Sequence, residues 1–306
     1  MKLQQLRFVR EVARNGLNIS AAAHSLNTAQ PGVSSQIRQL EEELGIDIFV
    51  RHGKRLTAIT EPGHQVVAII ERVLQDADSI KCVAQEFSQQ ATGSLSIATT
   101  HTQARYSLPP AIKRFTEQYP NVSLNIHQGN PTQICEYVLS GEADIAIATE
   151  AIATYDELAT MSCYDWNRCV IVPPDHPLLA IEQLSLGHLA QYPIITYDYA
   201  FAGRSKINKA FADCGLNPDI VLTAIDSDVI KTYVELGLGV GILASVAFSA
   251  QRDTTLRSID ASHLFDSSTV RIGIRRGCYL RSYIYDFIQF FAPHLTREVV
   301  DKAMAG

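Results

Sequence analysis

NISAAAHSLNTAQPGVSSQIRQLEEEL, residues 18–44, is the stretch whose reading decides the N-terminal fold. Ile19, Ala22, Ala23 and Leu26 mark the inner side of a short helix, and its small alanines let a second helix cross closely. Asn27 and Thr28 break the pattern, which makes Thr28 the expected N-cap of the next helix. Pro31 falls in the first turn of that helix, where its missing N–H costs little. Val33, Ile37, Leu40 and Leu44 recur at helical spacing and form one buried face. The other face carries Gln30, Ser34, Ser35 and Arg38, hydrogen-bonding side chains close to a helix N-terminus. Such a pair suits a helix-turn-helix that enters a DNA major groove. An ordinary helical hairpin with a polar outer side is the alternative.

The neighbours extend the motif. Leu3, Leu6, Val9, Val12 and Ala13 form an opening amphipathic helix that packs beneath it. Gly45 ends the second helix. Residues 46–51 and 56–60 read as two short strands around His52, Gly53, Lys54 and Arg55, the form of a wing. Arg51, Lys54 and Arg55 are candidates for phosphate or minor-groove contact, although charged hairpin tips are also common without one. The net charge of −6 argues against a generally adhesive nucleic-acid binder. Residues 1–60 nonetheless hold eight Lys/Arg against five Asp/Glu, and the rest of the chain is acidic, so the positive excess is confined to this motif.

Pro62 and Gly63 open a long helix with no breaker before Gly93. Val66, Ile70, Val73, Ala77, Ile80, Ala84 and Phe87 alternate spacings of four and three along it, an a/d seam. A second copy of the chain is the simplest partner for such a seam, which predicts a dimer on a two-fold-related operator. Packing on the chain's own C-terminal part is the alternative.

Beyond Gly93 strands and helices alternate. Strands are expected at 95–99, 122–128, 144–149, 169–172, 193–196, 220–224, 240–243 and 269–275. Helices are expected at 103–118, 132–140, 204–214, 228–236 and 280–291. This is an α/β pattern in two similar lobes, with a ligand cleft expected between them. Thr99, Thr100, His101, Thr102 and Gln103 bring hydroxyls, an amide and free N–H groups to a strand end, an arrangement that binds anions. Thr149 and the run 129–132 occupy similar places, and Ala202, Gly203, Arg204 and Ser205 open a helix in the second lobe. Helix capping by these threonines is the competing explanation. Gly237, Gly239 and Gly241 follow a helix and precede a strand, the wrong order for a dinucleotide loop, and read as a helix stop. Asp226 and Asp228 read as turn and N-cap residues. No P-loop, G-x-S-x-G or H-E-x-x-H motif is present, and no nucleophile neighbours His101, so no enzyme activity, metal or cofactor is expected. The six cysteines show no C-x-x-C pair and are expected reduced. With 46% hydrophobic residues, no signal-peptide pattern and no membrane-length apolar run, the chain reads as a globular cytoplasmic protein without membrane contact.

With these parts in place the chain resembles the LysR-type transcriptional regulators over nearly its whole length. It is most similar to the branch that controls cysteine biosynthesis, with the branch for sulfonate use next. MKLQQLR (1–7), QPGVSSQIRQLEEELGI (30–46), IATTHTQARYSLP (97–109), DSDVIKTYVELGLGVGI (226–242) and RSYIYDFIQFFAPHLTR (281–297) carry the resemblance. It implies a winged helix-turn-helix at 1–60, a linker helix at 61–91 and a two-lobed effector domain of the periplasmic-binding-protein kind at 92–306. Lobe I would comprise about 92–163 and 267–306, and lobe II about 164–266. It further implies an activator of sulfur-assimilation genes that binds operator DNA as a tetramer of two dimers and works with RNA polymerase. Its effectors would be acetylserines or sulfate-like anions, including thiosulfate. Thr100, Thr102, Gln103 and Thr149 match the branch's anion pocket. Ala202 departs from it, because the branch has threonine there; backbone N–H groups of Gly203 or Arg204 are the expected replacements. The competing classes are a solute-binding protein that does not touch DNA and an enzyme using residues 99–103 as an oxyanion site.

Overall fold

Apolar side chains at every third or fourth position draw the first residues into three helices. α1 (Leu3–Arg14) buries Leu6, Phe8, Val9 and Val12. α2 (Ile19–Ser25) buries Ile19, Ala22 and Ala23, and the Asn18 side chain accepts from the N–H groups of Ser20 and Ala21 at its start. α3 (Gln30–Leu44) buries Val33, Ile37 and Leu40. Leu3 and Leu44 depart from the expected buried faces; each lies in a terminal helical turn and is exposed. Thr28 is not the cap of α3. The N-cap is Ala29, with no side-chain hydrogen bond, and Pro31 in the first turn removes a donor that would otherwise need a partner. Asn27 makes the preceding turn at φ 48°, a left-handed conformation that asparagine tolerates. The computed structural model describes residues 1–53, 55–86, 92–199 and 202–306, and the chain divides into two units, Met1–Ser88 and Gln89–Gly306.

β1 (Phe49–His52) and β2 (Arg55–Ile59) form an antiparallel hairpin with His52 opposite Arg55 at its tip. Glu41, buried on α3, anchors it. One carboxylate oxygen accepts from the N–H groups of Ile48 (2.9 Å) and Phe49 (3.1 Å), and the other from Arg51 Nη2 (2.6 Å). α4 (Glu61–Glu86) starts under Thr60, whose hydroxyl accepts from Gly63 N–H. A Cβ on Gly63 would lie 2.2 Å from the Ile48 carbonyl, so only glycine permits this close start. The expected seam along α4 separates into two flanks. Ile70 and Leu74 are buried in the core of this unit, with Val66 and Val67 half-buried beside them, because α1 covers that side. Ile69, Val73 and Ile80 are exposed on the other flank. Phe87 lies outside the described residues, as does the side chain of Ala84.

In the second unit β3 (Gly93–Thr99) is followed by a wide turn at Gln103–Ser107 and α5 (Leu108–Gln118). The expected helix at 103–118 is present, with its first five residues wound wider than the rest. Pro109 and Pro110 lack the N–H groups that would continue α-helical bonding backward, and Leu108 N–H reaches Gln103 five residues earlier instead. β4 (Val122–Gln128), α6 (Pro131–Leu139), β5 (Ile145–Ala148) and β6 (Leu158–Trp166) complete this part. The chain then continues through β7 (Arg168–Val172), α7 (Leu186–Leu189), β8 (Ile194–Tyr197), α8 (Ala202–Asp213), β9 (Ile220–Ala224), α9 (Ser227–Glu235), β10 (Val240–Ala244) and β11 (Arg257–Asp260). β12 (Ser268–Arg275), α10 (Ser282–Phe291) and α11 (Arg297–Ala305) follow.

Two mixed sheets result, with strand orders β4-β3-β5-β12-β6 and β11-β7-β10-β8-β9. In each, four strands run the same way and one, β12 in the first sheet and β7 in the second, runs against them. β6 and β11 were not expected from the sequence: β6 mixes polar and apolar residues irregularly, and β11 is a short edge strand. The chain crosses between sheets twice, from β6 to β7 through Asn167 and from β11 to β12. The described cysteines are free, with Cys135, Cys163 and Cys169 buried. Among the described residues no helix is long and apolar enough to cross a membrane.

Glu41→Ala should lower the stability of the N-terminal unit by ~2–4 kcal/mol, because two N–H groups and Arg51 lose one shared acceptor. Glu41→Gln, which keeps a carbonyl oxygen, should cost less. Urea unfolding of the full chain followed by circular dichroism measures both.

Candidate functional site

The N-terminal unit presents α3 with Gln30, Pro31, Ser35 and Arg38 exposed and Ser34 half-buried. Gln30 Oε1 accepts from Ser20 Oγ (3.2 Å), which ties the start of α3 to the start of α2. A groove of about 620 Å³ runs between these helix starts and the hairpin, lined in part by Asn18, Ser20, Gln30, His52 and Arg55. Arg51 departs from the expectation of a free wing charge: its guanidinium pairs with Glu41 at 2.6 Å and serves the fold. Arg55 is exposed at the tip, and Lys54 lies outside the described residues.

In the second unit the strand ends of both sheets enclose a cavity of about 40 Å³. Thr100, Thr102 and Gln103 reach it from the turn after β3, Thr149 from the end of β5 and Trp166 from the end of β6. Tyr197, Gly203, Ile225 and Ala244 close it from the other sheet. Four of the residues singled out in the first lobe are thus brought together with Gly203. Not one of the nine lining residues carries a formal charge, and hydroxyl and amide groups dominate the first-lobe side. Gln103 Oε1 accepts from Tyr164 OH (2.6 Å), which fixes the amide so that its NH₂ end is the donor left for other partners. Trp166 Nε1 is buried without a partner among the described residues.

Other residues expected at the site sit elsewhere. Thr99 Oγ1 donates to the Ile147 carbonyl and belongs to the sheet. Asn130 and Gln133 form a reciprocal cap on α6, so the 129–132 run acts as a helix start. The Arg204 guanidinium turns away, donating to the Tyr197 carbonyl (3.0 Å) and Asn208 Oδ1 (2.7 Å). The side chain of Ala202 lies outside the described residues. Trp166 and Tyr197 were missed because nothing local distinguishes them from core aromatics; the chain's single tryptophan at a strand end was the one available signal.

Beside the cavity the two lobes are joined by a charged network. Thr102 Oγ1 meets Ser227 Oγ at 3.4 Å, and Ser227 Oγ meets Tyr197 OH at 2.8 Å. Burial raises the Tyr197 phenol above its ordinary pKa, so it stays protonated. Asp228 accepts from Tyr106 OH (2.6 Å) and pairs with Arg105 (2.7 Å) across the lobes. Lys231 donates to Tyr106 OH and Asp253, both at 3.0 Å. Burial alone would lower the Lys231 pKa, but these two bonds outweigh it and the net shift is upward. His101 faces Asp228 at 3.7 Å and does not line the cavity. His101, Asp226 and Asp228 could in geometry hold a metal ion. Asp226 already caps α9, and the Arg105 cation occupies Asp228. On the far side Glu150 pairs with Lys206 and accepts from Thr269 N–H (3.0 Å).

A winged helix-turn-helix followed by a two-lobed α/β unit is the build of a bacterial transcriptional regulator. The chain belongs to the LysR family: the model of the lysR-family bacterial regulatory helix-turn-helix protein matches residues 3–64, and that of the LysR substrate binding domain residues 88–296. Among its relatives is the HTH-type transcriptional regulator CysB of Burkholderia cenocepacia, 54% identical over 306 residues, covering all of this chain and 98% of that one. The regulator SsuR of the same organism is 54% identical over 295 residues, 96% of each chain. The cofactor-binding domain of the Cbl transcriptional regulator superposes with a TM-score of 0.68 at 45% identity, covering 70% of this chain and 94% of that one.

Asp228→Ala removes the acceptor of Tyr106 and the partner of Arg105 together. It should destabilise the second unit by about 1–3 kcal/mol, read as a lower thermal midpoint of the full chain. Asp228→Asn keeps a carbonyl oxygen for Tyr106 and should recover part of the loss.

Proposed function

We propose that this regulator controls sulfur-assimilation and cysteine-biosynthesis genes and responds to a small anion held in the interlobe cavity. The observation that carries the proposal is the convergence of Thr100, Thr102, Gln103 and Thr149 on one uncharged, donor-rich cavity at the strand ends. Its likeness to CysB at 54% identity over the whole chain supports the choice of genes. The buried Trp166 Nε1 adds a donor on the same wall. The volume bears on the ligand. About 40 Å³ has room for roughly three waters. A sulfate-like anion therefore suits this arrangement of the lobes better than the larger acetylserine does. Ligand exchange then shifts the lobe equilibrium, and through it the hold on DNA.

DNA contact is assigned to α3, with Gln30, Ser34, Ser35 and Arg38 toward bases and nearby phosphates and Arg55 at the wing. Thr28 and Pro31 shape the approach of the helix start. The exposed flank of α4, with Ile69, Val73 and Ile80, suits pairing with a second copy. Two paired copies make a dimer, and two dimers the tetramer of the proposed assembly. RNA polymerase is the partner an activator of this kind requires. A role in sulfonate use is the second reading, favoured by the 45% identity to the Cbl cofactor-binding domain. Adenosine phosphosulfate is the ligand that would separate the two.

Calorimetric titration with sulfate, thiosulfate, acetylserines and adenosine phosphosulfate tests the effector. Thr100→Ala should weaken anion binding about tenfold or more, the loss of one hydrogen bond to a charged ligand, while DNA affinity without ligand stays unchanged. Fluorescence of the single tryptophan, Trp166, should change as the cavity fills; a silent titration alongside calorimetric binding would move the site elsewhere. Arg38→Ala should abolish sequence preference in a gel shift on sulfur-gene promoters and leave anion binding intact.

A further inference from the structure

Arg168 opens β7, directly after the first crossing between the sheets, and none of its surface is exposed. A guanidinium keeps its proton under ordinary conditions, so a full positive charge is buried there. Nη1 donates to the Asp266 carbonyl (2.7 Å), and Nη2 to Ser268 Oγ (2.9 Å) and the Gly203 carbonyl (3.3 Å). All three acceptors are neutral. The nearby acids are engaged elsewhere: Glu150 pairs with Lys206, and the Asp266 residue is exposed to solvent. Nε has no partner among the described residues. A buried cation bonded to no carboxylate is costly: burial pulls the Arg168 pKa below its ordinary value, and the charges of Glu150 and Asp266 offset this only in part.

This cation stands behind the cavity wall. Its carbon Cζ lies 4.9 Å from the centre of the Trp166 ring, and a Cβ added to Gly203 would lie 3.5 Å from Nη2. Trp166 and Gly203 both line the cavity. Its hydrogen bonds also reach the second crossing, at Asp266 and Ser268, and the first turn of α8, at Gly203. We infer that Arg168 is the specificity-determining positioning residue of the cavity: its charge selects a dianion over a monoanion of the same shape. The seated anion in turn compensates Arg168 and steadies both crossings between the lobes. The inference rests on the reading of the cavity as the effector site and names the property of the ligand that the site measures, which is charge.

Sulfate and perchlorate are tetrahedral oxyanions of similar shape and different charge. Titration of the full-length protein with each, at constant ionic strength, should give at least tenfold tighter binding of sulfate. Arg168→Met should lose at least tenfold in sulfate affinity and bring the two anions close together. Arg168→Lys should recover part of the sulfate preference. A folded Arg168→Met protein that binds sulfate within twofold of the parent overturns the inference, as does a lowered midpoint with the sulfate-to-perchlorate ratio unchanged, the mark of a purely structural clamp. If Arg168→Met does not fold, the parent protein decides, and equal affinity for the two anions overturns the inference. Loss of sulfate binding in Thr100→Ala with Arg168→Met unaffected removes only the role of Arg168. No sulfate binding by the parent protein removes the effector reading itself.

Discussion

Two short crossings of the chain, through Asn167 and between Asp260 and Ser268, hold the carboxyl ends of two sheets against each other. Most of what the second unit presents follows from that constraint. Parallel strands end on the same edge, so the turns after β3, β5, β8 and β9 open on one side of their sheets. Thr100, Thr149 and Ile225 stand just beyond three of those ends, and Tyr197 forms the fourth. The two sheets repeat a device at this edge. Thr99 Oγ1 donates to the Ile147 carbonyl in one, and Thr196 Oγ1 to the Ile242 carbonyl in the other. Those buried hydroxyls brace the strand ends, which frees the next residues to face the cavity.

The turn after β3 serves two tasks at once. Thr100, Thr102 and Gln103 face the cavity, while His101, Arg105 and Tyr106 face the charged groups of α9. Thr100 precedes the helix, and Gln103, Arg105 and Tyr106 lie in the wide turn at Gln103–Ser107, where residues do not follow the angular spacing of a regular α-helix. The cavity wall and the contact between the lobes are therefore built from the same seven residues, 100–106. Proteins that switch by lobe closure need a segment of this kind, with a ligand on one side and a breakable network on the other.

In the N-terminal unit the comparable economy is at Glu41. A buried acid satisfies two backbone donors at the base of the hairpin and one arginine on it. The hairpin is thereby aligned with α3. The cost is that Arg51, one of three cations near the tip, is half-buried and paired within the fold. Sequence reasoning assigned that charge to the wing because composition counts charges without their partners.

Periodicity alone made the helix-turn-helix, the hairpin, the long helix and most of the α/β strands legible, since local spacing decides which face of an element is apolar. The family resemblance rested on the same local order. The cluster Thr100, Thr102, Gln103 and Thr149 was also legible, because strand-end hydroxyls follow from the strand positions. Pairing over distance was not legible. The irregular β6 becomes a strand because β12 supplies its ladder, and Ile70 is buried while Val73 is not because α1 covers one flank of α4. Trp166, Tyr197 and Arg168 acquire their places only when two sheets meet. Sequence by itself determined the elements and their order, because each depends on neighbours three or four residues away. Tertiary structure decided which charges are used within the fold and which residues share a wall, because those depend on groups brought together from distant parts of the chain.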